Sequence, residues 1–168
     1  CWGDCNRSAL VRVPLGWTSG KSMCSAANPL EKPSGFDATA KQTVEMRSPD
    51  SSADIYQLMA GLCVACKYGL IMDEGKALGI ARDKYVGLDI HKSSEAHKFD
   101  ALPSCCEESA DCLEKARDLF EADGVFPPRM IDGILKSLRS FHDRRLLAEA
   151  MSDKDRLRVL VNKYFYCG

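Results

Sequence analysis

Glu45 and Arg47 stand two apart in Val44-Glu45-Met46-Arg47, a segment whose alternation reads as a strand. Side chains two apart on a strand share a face, so Glu45 and Arg47 project together while Val44 and Met46 project from the other side. A carboxylate beside a guanidinium has two readings. It is a structural salt bridge, or it is a hard oxygen ligand for a divalent cation next to a forked donor for phosphate or carboxylate oxygens. Phosphoryl chemistry uses both of the latter, a cation to neutralise the phosphates and arginines to hold their oxygens. More positive charge lies upstream, where Arg7 and Arg12 occur in Asn6-Arg7-Ser8-Ala9-Leu10-Val11-Arg12-Val13-Pro14. Their odd separation puts them on opposite faces of a regular strand, so a shared site requires Arg7 at the strand entrance or a bulge between the two.

The elements that must position these residues divide unevenly along the chain. The front, residues 1–50, reads as strand and loop; residues 51–168 read as mainly helical. Ala9, Val11 and Val13 alternate with Ser8, Leu10 and Arg12, which predicts a strand over 8–13 closed by Pro14-Leu15-Gly16. Residues 15–41, rich in Gly, Ser, Pro and Lys, predict a long loop, and a second strand over 42–47 stops at Ser48-Pro49-Asp50. A helix capped by Ser51 or Ser52 follows, with Ile55, Leu58, Met59, Leu62, Cys63, Cys66 and Leu70 at helical spacing. Residues 72–102 lack a strong period and read as mostly loop with at most a short helical turn. Ser104-x-x-Glu107 has the capping-box pattern, for a helix carrying Ala110, Leu113, Ala116 and Phe120 and ending at Asp123-Gly124. Pro127 and Pro128 suit the first turn of the next helix, with Ile131, Ile134, Leu135, Leu138 and Phe141 on one face. Ser152 is placed to cap the last helix, whose apolar face is Leu157, Leu160, Val161, Tyr164 and Phe165; that stripe and the one at 131–141 are expected to bury each other.

Composition narrows the function classes. At 168 residues the chain is expected to form one compact domain or a large piece of one, and 45% hydrophobic with 28% charged residues is ordinary for a globular protein. The 23 Lys and Arg against 24 Asp and Glu supply no general attraction to nucleic acid. No apolar run suggests a membrane span. Cys1 in place of Met, and the lack of signal-peptide character after it, point to a start in mid-protein. Nine cysteines are odd in number, and Cys63, Cys66, Cys106 and Cys112 fall on predicted helices, which favours a reducing, cytoplasmic setting over a disulfide framework. Cys63-x-x-Cys66 lacks a second such pair, and His91, His97 and His142 are not at zinc-ligand spacing, so both cysteines are read as small apolar residues on a buried helix face.

In order and wording, Asn6-Arg7-Ser8-Ala9, Val11-Arg12-Val13-Pro14, Val44-Glu45-Met46-Arg47-Ser48-Pro49-Asp50, Tyr56 and Met59-Ala60-Gly61-Leu62 resemble the C-terminal catalytic segments of the glutamine synthetase family. Leu119 to Phe126 is similar to a later helix of that family and its Gly-Val-Phe ending. The resemblance implies an ATP-dependent ligation of ammonia to glutamate through a γ-glutamyl phosphate. It implies that Arg7 acts in catalysis and that Arg7 and Arg12 bind ATP phosphates or the phosphoryl group in transfer. It further implies that Glu45 ligates Mg2+ or Mn2+, that Arg47 holds glutamate, and that the parent works as a homo-oligomer.

Departures from the family wording are specific. Thr43 stands where many relatives carry an arginine near the nucleotide, a contact that Lys41 is placed to replace, and Asp54-Ile55 stands for the usual Asn-Pro before Tyr56. Tyr85 lies where some relatives are adenylylated, but Asp83-Lys84-Tyr85-Val86-Gly87 does not reproduce that motif. The expected fold is α+β: two antiparallel strands of an incomplete glutamine synthetase-type sheet, then a helical C-terminal half. Two other functions compete with this reading, a ligase joining glutamate to another amine and a non-catalytic scaffold of the same fold.

Overall fold

A computed structural model describes residues 1–14, 27–32 and 43–166, and divides the chain into two compact units. The first comprises Cys1–Pro49 and Glu74–Asp100, the second Asp50–Asp73 and Ala101–Gly168. Strands and helices occur as the α+β expectation requires. Most of the expected loop at 15–41, Lys41, and the start of the second strand at Gln42 lie outside the described residues.

The first unit is built on a sheet of order β1-β2-β3, with β1 at Trp2–Asp4, β2 at Val11–Val13 and β3 at Glu45–Met46. β2 and β3 are antiparallel, as expected, with Val11 opposite Met46 and Arg12 opposite Glu45. β1 is an additional strand, parallel to β2, with Trp2 opposite Val11 and Asp4 opposite Val13. A parallel pair normally needs a long crossover. Here Cys5–Leu10 suffices because a three-residue strand spans roughly 10 Å and a loop of this length can reach roughly 20 Å. The reversal starts at Cys5, whose φ of 53° lies in the left-handed region.

Helix α1, Ile55–Leu70, belongs to the second unit; α2, Glu74–Asp83, returns to the first and replaces the loop expected there. The segment after α2 docks on β1. Trp2 N donates to Lys84 O at 2.9 Å, Val86 N to Trp2 O at 2.8 Å, and the Trp2 indole Nε1 to Ala81 O at 2.6 Å. The Trp2 ring meets Tyr85 edge to face at 4.9 Å. Gly3 permits this approach, since a Cβ there would stand 2.5 Å from Val86 O.

The second unit is helical. Its remaining helices are α3 Cys106–Lys115, α4 Arg117–Glu121, α5 Pro128–Arg139, α6 Leu146–Ser152 and α7 Lys154–Tyr164. The core is Val64, Ala110, Phe126, Ile131 and Leu135, with Ala60, Leu113, Phe120 and Leu138 packed around it. On α5, Ile131 and Leu135 are buried and Leu138 packs against them as the periodicity predicts, whereas Phe141 lies beyond the end of the helix at Arg139 and is half exposed; Pro128 occupies the first turn. The single helix expected up to Asp123-Gly124 is instead divided at Ala116 into α3 and α4, and the helical run stops at Asp123-Gly124, both at positive φ, of 62° and 68°.

Several local expectations are corrected. Asp54 caps α1, its carboxylate accepting from the N–H groups of Tyr56 and Gln57, while Ser52 is held by Asp50. Val64 and Ala60 face the core from α1; Ile55, Met59, Cys63, Cys66 and Leu70 are exposed. Cys63 and Cys66 are thus surface thiols rather than core residues. Cys105 caps α3, and Ser104 pairs with Glu108 instead of Glu107. Asp153, an acceptor for Asp155 and Arg156 N–H, caps α7 in place of Ser152. α7 packs chiefly on α6, no α7 residue is buried, and its stripe does not bury that of α5. No single helix among the described residues is long and apolar enough to cross a membrane.

Candidate functional site

Each expected site residue lies in the first unit. Arg12 on β2 and Glu45 on β3 are directly opposed, which places both side chains on one face of the sheet. Arg12 donates to Glu45 through Nε, at 3.0 Å to Oε2, and through a second guanidinium nitrogen to the same oxygen. Arg47, two residues beyond Glu45, reaches the other carboxylate oxygen, Nε standing 3.6 Å from Oε1. Glu45 therefore lies between two guanidinium groups, and the salt-bridge reading of its pairing with Arg47 describes the geometry present.

Arg7 is not part of β2. It occupies the turn Asn6–Ser8 at the strand entrance, which removes the conflict posed by its odd separation from Arg12. Arg47 donates a guanidinium N–H to the backbone carbonyl of Arg7, so the turn and β3 are tied together through Arg47. The Arg7 side chain is exposed beside an open cavity of about 490 Å3 whose lining includes Asp4, Asn6, Leu88, Asp89 and His91. That lining does not include Arg12, Glu45 or Arg47. The structure thus brings Arg12, Glu45 and Arg47 into one ionic row and joins Arg7 to it through the backbone.

In the row, two guanidinium groups face one carboxylate, an excess of one positive charge on a chain whose net charge is −1, whereas the Arg7 side chain stands at a cavity that Asp4 and Asp89 also line. Such an excess attracts phosphate or carboxylate. Glu45 has the right donor chemistry for a hard cation, but both its oxygens are turned to arginines, and among the described residues no group of three His, Cys, Asp or Glu could hold an ion. These residues do not form a metal centre by themselves. Thr43 is exposed two residues before β3.

Charge marks Arg7, Arg12, Glu45 and Arg47 in the sequence; Asn6 and Ser8 are small and uncharged, so no charge pattern marks them. Their side chains nevertheless fasten the Arg7 turn to residues 86–90. A turn-forming Asn directly before the Arg was the only available signal.

The chain is similar in sequence to curated glutamine synthetases. A glutamine synthetase of Thermococcus kodakarensis is 29% identical over 135 residues, covering 78% of this chain and 24% of that protein. One of Mycobacterium tuberculosis is 31% identical over 123 residues, with 73% of this chain and 23% of that protein covered. One of Pyrococcus abyssi is 28% identical over 168 residues, covering 98% and 33%. The chain spans about a quarter to a third of the length of these curated relatives. No solved structure matches it significantly. Residues 1–153 match the family described as glutamine synthetase, catalytic domain. With Arg7, Arg12, Glu45 and Arg47 all inside that match, the chain belongs to the glutamine synthetase family.

Proposed function

We propose that this chain is the C-terminal part of a cytoplasmic, homo-oligomeric ligase that uses ATP to join ammonia to the side-chain carboxylate of glutamate. The observation that carries the reading is the ionic row Arg12–Glu45–Arg47, tied to the Arg7 turn, in a chain of this family. Arg7 and Arg12 hold the phosphates and the phosphoryl group in transfer, and Arg47 holds a glutamate carboxylate with its planar fork. Phosphorylation turns a poor leaving oxygen into a good one; ammonia then displaces phosphate from γ-glutamyl phosphate. Fixed guanidinium groups favour this chemistry because negative charge is spread over the phosphoryl oxygens in transfer.

Glu45 is the carboxylate this chain offers to Mg2+ or Mn2+, an ion that neutralises phosphate charge when bound. Arg12 occupies Oε2, so Oε1, which stands 3.6 Å from Arg47 Nε, is the oxygen more open to the ion, and further oxygen ligands must come from outside the described residues. The isolated chain is accordingly expected to be inactive. Exposed apolar side chains such as Ile55, Met59 and Leu70 are available to subunit or domain contacts.

The test is phosphate release from ATP by the intact ligase with glutamate plus ammonia, with glutamate plus polyamines, and with glutamate alone. Release stimulated by ammonia supports the proposal, polyamine-dependent release would replace ammonia as the amine, and no release with any amine would favour a non-catalytic scaffold.

A further inference from the structure

A side-chain amide has two N–H donors and two acceptor positions, and Asn6 uses all four on the turn that carries Arg7. Its Nδ2 donates to Val86 O at 3.0 Å and to Leu88 O at 2.9 Å. Its Oδ1 accepts from Ser8 N at 2.9 Å and from Ser8 Oγ at 2.7 Å. The Ser8 hydroxyl in turn accepts from Ile90 N at 3.0 Å. Residues 86–90 are themselves anchored to β1 by the Val86–Trp2 bond and by the close approach at Gly3. Ala9, next in sequence, is buried.

The Arg7 backbone is therefore held from two directions, by the Asn6 and Ser8 bonds and by the Arg47 donation to its carbonyl. Among the described residues its side chain makes no hydrogen bond or ion pair, and it stands at the cavity that Asn6 helps to line together with Asp4 and Asp89. An arginine on a fixed backbone gives up less freedom when it binds an anion than one on a mobile loop, and small misplacements of such a group are costly.

We propose that Asn6 is a positioning residue for Arg7, locking the Asn6–Ser8 turn to residues 86–90 so that the guanidinium is presented to a phosphate-bearing ligand. The inference rests on the reading of Arg7 as a phosphate-binding group. Removing Asn6 leaves the carbonyls of Val86 and Leu88 and both Ser8 donors without these partners, and the turn gains alternative conformations.

The experiment is a double-mutant cycle on the intact ligase, reading the dissociation constant of inorganic pyrophosphate by isothermal titration and kcat/KM for ATP alongside. Arg7→Gln is expected to weaken pyrophosphate about 10- to 100-fold, as for loss of a hydrogen bond to a charged group. Asn6→Ala is expected to weaken it about tenfold when Arg7 is present and less than about threefold in the Arg7→Gln background, since coupled residues are non-additive. Asn6→Ser, uncharged and too short to donate to Val86 and Leu88, runs the same cycle if Asn6→Ala does not fold. Equal losses in both backgrounds, or no loss with Arg7 present, would overturn the role of Asn6 alone. An inert Arg7→Gln would overturn the reading of Arg7 and this inference with it.

Discussion

Replacing Glu45 by Gln removes the one negative charge from a row that otherwise holds Arg12 and Arg47. The side chains are 22% exposed for Arg12, 39% for Glu45 and 41% for Arg47, so solvent screens the row substantially. At about 0.2–1 kcal/mol per exposed pair, the change should lower stability by no more than about 2 kcal/mol. Its effect on anion binding has the opposite sign. An anion seated on the two guanidinium groups would lie roughly 5 Å from the Glu45 carboxylate, a repulsion of about 0.8 kcal/mol per unit charge in water and about 3 kcal/mol at an effective dielectric of 20. Given the exposure, the lower end governs, about fourfold for each unit of anion charge at that distance, and Glu45→Gln should bind pyrophosphate at least about fourfold more tightly in metal-free buffer. Isothermal titration at low and high salt reads this directly, the difference shrinking as salt rises. With Mg2+ present the order should reverse, because the variant has lost a carboxylate for the ion. Unchanged or weaker metal-free binding by Glu45→Gln would refute the reasoning that Glu45 occupies the place of an external anion.

Arg47→Lys, lacking the planar fork and its reach to both Glu45 and the Arg7 carbonyl, should raise the KM for glutamate in the intact ligase about tenfold or more; an unchanged KM would leave Arg47 a structural group. Asp143 is partly desolvated, but the N–H groups of Cys106 and Glu107 that it accepts outweigh this and hold its carboxyl below the ordinary aspartate value. Its contribution to the fold is present above that value and lost as pH falls through the lowered one, so urea midpoints should drop below about pH 4, with a shallower drop in Asp143→Asn. Cys63 and Cys66, being exposed, should react with a thiol reagent in the folded protein, and replacing both with Ser should shift the melting temperature little. Ile131→Ala, at 1% exposure in the core, should cost about 2–5 kcal/mol in chemical denaturation.

Punctuation residues made much of the second unit legible in the sequence. Pro127-Pro128 and Asp123-Gly124 constrain the backbone locally, whatever packs around them, and the strong period of 131–138 matches a helix with a single buried face. Helix α2 was not legible, because Gly75 and Gly79 dilute its pattern and Leu78 and Ile80 remain about half exposed. β1 has three residues, too few for a period to register. The stripes on α1 and α7 misled for another reason: periodicity marks an apolar face, not its neighbour, and much of each face is exposed here. In the site, charge type and spacing exposed Arg12, Glu45 and Arg47, but the role of Asn6 depends on the register of segments some eighty residues apart, which no local pattern encodes.

In the proposed reaction, phosphoryl transfer to the glutamate side chain precedes attack by ammonia. Glutamate carrying oxygen-18 in that carboxylate tests it in the intact ligase, because displacement of phosphate from γ-glutamyl phosphate breaks the bond between carbon and a carboxylate oxygen. Each phosphate released with glutamine is expected to carry one labelled oxygen, and Arg7→Gln to slow labelled release. Glutamine formation accompanied by unlabelled phosphate, or ATP consumption independent of glutamate, would contradict the proposed reaction.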